Sequence, residues 1–199
     1  MRFSPGRCRA FSFLEVLFVL ALIAVLLSIS LAGYSALIQA NSITAGAAMI
    51  SDELTEARSD AVAQNMTVEV RLYAVAQPAS STLAYTVLQL HWLKADGTTP
   101  PVKLPLILPT GIAIDATPIR SSLIGANPEP VPADATDSHL NSQTRVFHYL
   151  PDGSTDLNST TSWFLTIRAA TASDPAHFPS DWACIQVDAA TGRTRILRP

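Results

Sequence analysis

The first part of the chain is an almost continuous apolar segment. Between residues 13 and 31 it is interrupted only by Glu15, Ser28 and Ser30. Because about 20 apolar residues are enough to cross a bilayer as a helix, the segment predicts a membrane-spanning helix. An ionised side chain inside such a helix costs about 2.5–3.5 kcal/mol, so Glu15 is interpreted as a functional group that has a partner.

Beyond this segment the apolar residues thin out into a single stripe. They recur at alternating spacings of four and three residues, at Ile43, Ala47, Ile50, Leu54, Ala57 and Ala61. This is the pattern of an amphipathic helix. The charged residues of the region fall largely off the stripe, at Asp52, Glu53, Glu56, Arg58 and Asp60. Since no proline occurs between Pro5 and Pro78, we expect one helix from Phe11 to about Asn65, with its second half covering a sheet.

After Asn65 the period of the pattern changes from that of a helix to that of a strand. Residues 67–73 alternate apolar with charged, which predicts a half-buried strand with Val68, Val70 and Leu72 inward. Further strands are predicted at 84–93, 112–114, 144–149, 162–168, 183–188 and 193–197. Asp96-Gly97 marks a turn, and the three prolines of 125–134 predict an exposed, mobile loop. The fold class is therefore α+β, a long N-terminal helix packed on an antiparallel β-sheet.

The basic residues orient the predicted span. Arg2, Arg7 and Arg9 precede it, and the first charged residue after Glu15 is Asp52. Lysine and arginine favour the cytoplasmic side, so we expect a cytoplasmic N-terminus and place everything after the span outside.

Loss of the first ten residues would make the chain more acidic. It would remove three of the 13 basic residues and none of the 16 acidic ones, leaving 10 against 16 and a net charge of −6. Such a product is a poor candidate for generic adhesion to nucleic acid.

The apolar segment has other interpretations. It could be a signal peptide, because Ser30-Leu31-Ala32 offers the small residues that a signal peptidase needs, although this leaves Glu15 unexplained. It could equally be a permanent single-pass anchor. Glu15 itself could reach the membrane surface from near the helix end and need no partner. The corresponding classes of protein are a secreted β-rich binding domain and an anchored sensor or adhesin.

The start of the chain resembles the class III signal of type IV pilins and type II secretion pseudopilins. The resemblance rests on a short basic leader and on Arg9-Ala10-Phe11-Ser12-Phe13-Leu14-Glu15. It implies that a prepilin peptidase cuts between Ala10 and Phe11 and methylates the new amine. It also implies that Glu15 pairs with the terminal amine of a neighbouring subunit. Ala10 departs from the glycine preferred before the cut, which puts the efficiency of processing in question.

The second half of the chain extends this resemblance. Segments 147–156 and 185–195 look like the closing strands and turns of H-type minor pseudopilins. Their order, with the Pro-Asp-Gly-Ser-Thr-Asp turn, the Trp-Phe-Leu-Thr strand and the Thr-Gly-Arg hairpin, is similar to the Verru_Chthon cassette protein D family.

The resemblance also implies an organisation and a role. The organisation is a leader at 1–10, a transmembrane and filament-core helix at 11–33, an amphipathic periplasmic helix at 34–65 and a β-rich domain at 66–199. The role is that of a non-enzymatic subunit of a type II secretion or type IV pilus-like filament in the inner membrane. Its partners would be the prepilin peptidase and other pseudopilins.

The sequence carries no strong catalytic or metal-binding motif. It has no Gly-rich phosphate loop, no serine elbow and no paired cysteines, so no enzyme activity, cofactor or metal is predicted. Asp152, Ser154 and Asp156 are spaced like part of a calcium loop, but no glutamate completes it, and a turn is the preferred interpretation. The four histidines are assigned structural or surface roles, and Cys184 a buried structural one.

A last motif lies near the C-terminus. The Gly-Arg-x-Arg pattern that contains Arg193 and Arg195 resembles the DNA-contacting segment of some minor pilins used in DNA uptake. With Arg198 it would place three guanidinium groups near phosphates. The alternative is a hairpin turn with solvated arginines.

Overall fold

The computed structural model describes residues 13–77, 80–125, 143–170 and 181–199, with the backbone alone described at 28–36, 77 and 80–82. The chain divides into two compact units, Met1–Ile38 and Gln39–Pro199. One helix, α1, runs from Phe13 to Gln64 and contributes to both. It confirms the long helix expected from the sequence, whose first two residues, Phe11 and Ser12, lie outside the described residues.

The first unit contains the N-terminal half of α1. The described side chains from Phe13 to Leu27 are exposed all round the helix. The predicted span at 11–33 includes Phe11, Ser12 and the side chains of 28–33, which the structure does not describe, and the prediction of a membrane span is not confirmed. Within the described part of the chain, no helix combines the length and the apolar character needed to cross a bilayer.

Among the residues that the structure describes, the second unit contains an eight-stranded sheet. The strands are β1 (Thr67–Gln77), β2 (Ser80–Leu93), β3 (Leu106–Ile107), β4 (Ile112–Ile114), β5 (Gln143–Tyr149), β6 (Trp163–Ala169), β7 (Trp182–Val187) and β8 (Thr194–Leu197). Their order is β5-β1-β2-β4-β6-β7-β8, and β3 pairs with β2 beside this path. Every pairing is antiparallel, as the sequence predicts. Strands β5 and β8 form the two edges.

The predicted strands are all present, with ends shifted by a few residues. Strand β3 was not predicted, because two residues carry no period that a pattern could reveal. Of the predicted loop 125–134, all but Gly125 lies outside the described residues.

The core forms where α1 lies on the sheet. All six residues of the predicted stripe are at most 1 % exposed, and Val68, Val70 and Leu72 are fully buried, which confirms both patterns. Gly46 allows a close approach, since a Cβ there would lie 2.3 Å from Cδ1 of Ile112 on β4. The C-terminal half of α1 is thus held against the middle of the sheet.

One predicted core residue is less buried than expected. Cys184 is half-buried, because β7 alternates and directs Ala183 and Ile185, not Cys184, into the core. It is a free thiol, and burial raises its pKa, which a hydrogen bond with Thr166 partly offsets.

Candidate functional site

The residues assigned to processing and assembly lie at the start of the chain. Ala10 and Phe11 are outside the described residues. Glu15 lies in the first turn of the described part of the helix. Its side chain is exposed beside Phe13 and Leu14, which are 83 % and 76 % exposed. The assembly role of Glu15 stays a prediction, on a side chain that another chain could reach.

The surface around Glu15 is strongly apolar. Ten further large apolar side chains of this helical segment are between 45 % and 65 % exposed: Val16, Leu17, Phe18, Val19, Leu20, Leu22, Ile23, Val25, Leu26 and Leu27. A contiguous apolar surface of this kind marks a site of contact with protein or lipid. Contact with another chain or with lipid would bury these side chains.

In the second unit, Arg58 of α1 joins two turns that are far apart in sequence. Its Nε donates to the carbonyl oxygen of Thr191 at 2.7 Å and to that of Gly153 at 3.2 Å. These carbonyls belong to the Pro-Asp-Gly-Ser-Thr-Asp turn and to the β7–β8 hairpin. The two motifs that carry the C-terminal resemblance therefore meet at one side chain of the helix.

Both turns depend on glycine. Gly153 and Gly192 have φ angles of 82° and 64°, in the left-handed region that residues with a side chain disfavour. A Cβ on Gly192 would lie 2.2 Å from the carbonyl oxygen of Gly153. The contact between the turns leaves no room for a side chain there.

A partly buried charge network ties the edge strand β5 to β1. The imidazole of His148 lies between two carboxylates, with Nδ1 2.6 Å from Oδ2 of Asp156 and Nε2 3.3 Å from Oε2 of Glu69. These hydrogen bonds, to Asp156 first and then to Glu69, raise the pKa of His148 to about 9 against the cost of burial. Burial acts to raise the pKa of Glu69, but hydrogen bonds from His148 and Arg71 outweigh it and lower that pKa.

The same network continues to the segment after β2. Arg71, 2 % exposed, pairs through Nε with Glu69 and donates through Nη2 to Oγ1 of Thr99 at 2.7 Å. The carbonyl oxygen of Thr99 also lies 2.7 Å from Nδ1 of His91, which is likewise buried. His91 and His148 thus have structural roles, as predicted, whereas His139 and His177 lie outside the described residues.

A second buried ion pair, between Asp115 and Arg168, fixes the segment that follows β4 to strand β6. Asp115, 1 % exposed, accepts from Nε of Arg168 at 2.8 Å, from Nη1 of Arg120 at 3.3 Å and from the backbone N–H of Thr117 at 2.8 Å. Burial acts to raise the pKa of Asp115, but its bonds with Thr117 and the charge of Arg168 lower it. These contacts hold the backbone after β4 against β6.

The residues spaced like part of a calcium loop form a turn. Oδ1 of Asp152 accepts from the backbone N–H and the hydroxyl of Ser154, at 2.9 and 2.6 Å, and Asp156 is paired with His148. In the ranges that the structure describes, no group of three candidate ligands could hold a metal ion.

The three arginines near the C-terminus do not form one cluster. Arg193 and Arg195 are exposed and line a shallow cavity on the β7–β8 hairpin. Arg198 turns to other partners, with Nη2 3.4 Å from the carbonyl oxygen of Ala40 and 3.9 Å from Oδ1 of Asp181. The Thr-Gly-Arg hairpin is present as predicted, and DNA contact stays a prediction for Arg193, Arg195 and Arg198.

A third cluster of charged side chains includes two acids of α1, and the sequence pattern did not predict it. Glu53 falls off the apolar stripe but is 6 % exposed, because Nζ of Lys103 pairs with it at 2.8 Å and with Glu56 at 2.6 Å. Burial, the largest cause, raises the pKa of Glu53 although Lys103 acts against it. The sequence signals none of these contacts, since Lys103 is some fifty residues from both acids.

Comparison with known proteins gives two findings. Residues 5–31 match the family model of the prokaryotic N-terminal methylation motif. Two solved structures of the minor pseudopilin EpsH from the type II secretion system of Vibrio cholerae are similar to the chain, each at 15 % identity. One has a TM-score of 0.50 and covers 80 % of this chain and 95 % of its own; the other has a TM-score of 0.49 and covers 79 % and 98 %. No curated protein matches the sequence. The chain thus combines a pilin-type methylation motif with the fold of a minor pseudopilin.

Proposed function

We propose that the chain is a minor pseudopilin, a non-enzymatic subunit of a type II secretion or type IV pilus-like filament. The observation that carries the proposal is the methylation motif at 5–31, which overlaps the start of α1, together with the pseudopilin-like β-domain that follows this helix in sequence. Within this class we place it near the Verru_Chthon cassette protein D family, on the turns at 151–156 and 191–193.

Before assembly, residues 11–33 hold the subunit in the inner membrane, with the leader in the cytoplasm and the β-domain in the periplasm. The exposed apolar surface from Phe13 to Leu27 supports this, because lipid or neighbouring helices would cover it. The prepilin peptidase removes residues 1–10 and methylates the amine of Phe11. During assembly the same helix moves from lipid into a core built with other pseudopilins.

Glu15 sets the register of assembly in this proposal. Its carboxylate pairs with the amine of Phe11 on an adjoining subunit. In a low-dielectric core, leaving either charge unpaired is costly, so a subunit displaced by one residue is disfavoured. The position of Glu15 on an exposed apolar helix surface supports the role, because a second chain has access to it.

The test is assembly of full-length chains that carry Glu15→Gln, Glu15→Ala or Glu15→Asp. Each tagged chain is expressed in a strain whose filament depends on this subunit, and the co-purification of the other pseudopilins with it from membranes is measured. We expect Glu15→Gln and Glu15→Ala to reduce co-purification at least about tenfold, and Glu15→Asp to retain part of it. Unchanged co-purification of the Glu15→Ala chain would contradict the assigned role.

A second candidate function is that of a DNA-uptake minor pilin. The observation that favours it is the exposure of Arg193 and Arg195 in one cavity, where both guanidinium groups are open to an anion. The net charge of the chain, −3 before processing, opposes it. Electrophoretic mobility shift with duplex DNA tests this second function, with the unmutated chain and with the Arg193→Ala plus Arg195→Ala chain. The function requires that the unmutated chain binds DNA and that the double variant does not.

A further inference from the structure

The loop between β5 and β6 carries an exposed sequon, the acceptor motif of N-linked glycosylation. Asn158 begins an Asn-Ser-Thr triplet whose middle residue is not proline, which is the required pattern. Leu157 packs against the core, and the residues after it, 158–162, are all exposed. Among the asparagines of the chain, only Asn65 begins another such motif. The sequon that begins at Asn158 therefore lies on a surface that an enzyme can reach.

The side-chain amide of Asn158 is held at its oxygen and open at its nitrogen. Oδ1 accepts from the backbone N–H of Thr160 at 2.9 Å and from the hydroxyl of Thr160 at 2.8 Å. The backbone carbonyl oxygen of Asn158 accepts from Nε1 of Trp163, the first residue of β6, at 2.8 Å. Nδ2 has no hydrogen bond with the residues that the structure describes. The nitrogen that would carry a sugar is thus accessible, and the hydroxyl that defines the motif lies beside it.

The second sequon is built into regular structure. Asn65 lies between α1 and β1, where its backbone N–H donates to the carbonyl oxygen of Val62 at 3.3 Å. The hydroxyl of its motif belongs to Thr67, the first residue of β1, which is half-buried and pairs with Leu93. A transferase has to surround the acceptor motif, and an exposed loop is more easily surrounded than a paired strand. The structure therefore favours Asn158 over Asn65 as an acceptor.

We propose that Asn158 is a site of N-linked glycosylation. The donor is a lipid-linked oligosaccharide pyrophosphate, and the catalyst is a membrane oligosaccharyltransferase that acts outside the cytoplasm. Nδ2 of Asn158 attacks the anomeric carbon of the first sugar and loses one proton to a base of the transferase. As the bond from Nδ2 to this carbon forms, the bond from the carbon to the pyrophosphate oxygen breaks. The lipid pyrophosphate leaves with the electron pair, and no oxidant or reductant is needed.

The inference rests on the proposed function, since the periplasmic location of the β-domain brings Asn158 to the side of the membrane where the transferase acts. A subunit held in the inner membrane also stays close to a donor that is held there by its own lipid. An attached oligosaccharide is bulky and hydrophilic, so it would keep the loop 158–162 in solvent. The surface beside Asn158 would then face away from the contacts between subunits.

Peptide mass spectrometry of the protein from its own membranes tests the inference. The full-length chain is isolated from the organism that makes it and is cut with trypsin. Peptide 146–168 contains Asn158 and peptide 59–71 contains Asn65, with no other asparagine in either. We expect a saccharide mass on Asn158, in a fraction of molecules at least about ten times that found for Asn65. A peptide 146–168 without saccharide would overturn the inference.

Variants of the sequon separate the modification from the structural role of the turn. Asn158→Gln and Thr160→Ala should both abolish the saccharide mass, the second although the acceptor nitrogen is still present. Thr160→Ser keeps the hydroxyl and should retain the saccharide. Thr161→Ala is the matched control, because it removes a neighbouring exposed hydroxyl outside the motif and should leave the modification unchanged. Thermal unfolding of each purified chain establishes that the variants fold. A saccharide that persists in the Thr160→Ala chain would contradict the role of the sequon.

The N-terminus of the same molecules distinguishes this inference from the proposed function. A chain that begins at methylated Phe11 and has no saccharide on Asn158 contradicts the glycosylation and leaves the filament proposal standing. A chain that keeps residues 1–10 and carries the saccharide supports the glycosylation and contradicts the filament proposal. A chain that keeps residues 1–10 and has no saccharide contradicts both.

Discussion

Arg58 donates from Nε to the carbonyl oxygen of Thr191 at 2.7 Å, across 133 residues of sequence. The same nitrogen lies 3.2 Å from the carbonyl oxygen of Gly153. A single cationic side chain of α1 therefore satisfies carbonyl groups of two turns, which lie on the segments that close the sheet. This contact fixes how the end of the chain lies on the helix.

Removing Arg58 should loosen both turns. We expect Arg58→Ala to lower the free energy of unfolding by about 1.5–3 kcal/mol, the range for hydrogen bonds from charged groups. Arg58→Lys should recover only part of this, because an ammonium lacks the planar fork of donors. The measurement is urea unfolding followed by tryptophan fluorescence. Lys94→Ala, at an exposed site, serves as the control and should change stability by less than about 0.5 kcal/mol. An equal effect of the two alanine variants would contradict the role of Arg58.

The close contact between the two turns predicts that one methyl group added at Gly192 lowers the free energy of unfolding unusually strongly. Gly192 has a positive φ of 64°, which residues with a side chain disfavour. A Cβ added there would also lie 2.2 Å from the carbonyl oxygen of Gly153. Gly97 provides the matched control, since it has a φ of 80° but nothing within 4 Å of the added atom. We expect Gly97→Ala to cost about 1–2 kcal/mol, the conformational term alone. Gly192→Ala should cost clearly more, and thermal unfolding of the two variants compares them directly.

The position of His148 predicts a dependence of stability on pH. Because its pKa rises from 6.5 to about 9 on folding, the folded chain holds a proton that the unfolded chain has lost between these values. The stabilisation is therefore complete below about pH 6.5 and is lost as the pH rises through about 9. At 26 % exposure of the side chain it amounts to at most about 3 kcal/mol.

His148→Gln is the variant that isolates this effect. It keeps a hydrogen-bonding side chain on β5 but cannot take up a proton, so the loss of stability between pH 6.5 and 9 should disappear. Urea unfolding at pH 6, 7.5 and 9 measures it for both chains. A parent chain whose stability is the same at all three pH values would show that folding does not raise the pKa of His148, and would contradict the prediction.

The regular elements could be predicted because burial leaves a period in the sequence. The stripe from Ile43 to Ala61 is spaced for one face of a helix, and Val68, Val70 and Leu72 for one face of a strand. The glycine turns at 152–153 and 191–192 could also be recognised, since few residues other than glycine adopt their backbone angles.

The contacts between elements could not be predicted in the same way. Glu69 and His148 are 79 residues apart and meet only because β1 and β5 pair in one register. Because side chains alternate along a strand, Glu69 and Arg71 lie on the face of β1 that points away from α1, and the pattern predicts that they are exposed to solvent. Both are nevertheless buried, with partners from β5 and Thr99. The burial of Glu53 depends likewise on Lys103. Such pairs can be predicted only when the pairing of the strands is known. A single sequence has no periodic pattern that reveals this pairing.

The most direct test of the central claim is the intact mass of the protein extracted from membranes. The account predicts a chain that begins at Phe11 and carries one added methyl group on its amine. A chain that begins after Ala32 would indicate a secreted domain. A full-length chain in functional material, with residues 1–10 still present, would indicate a permanent anchor, and either result would contradict the account.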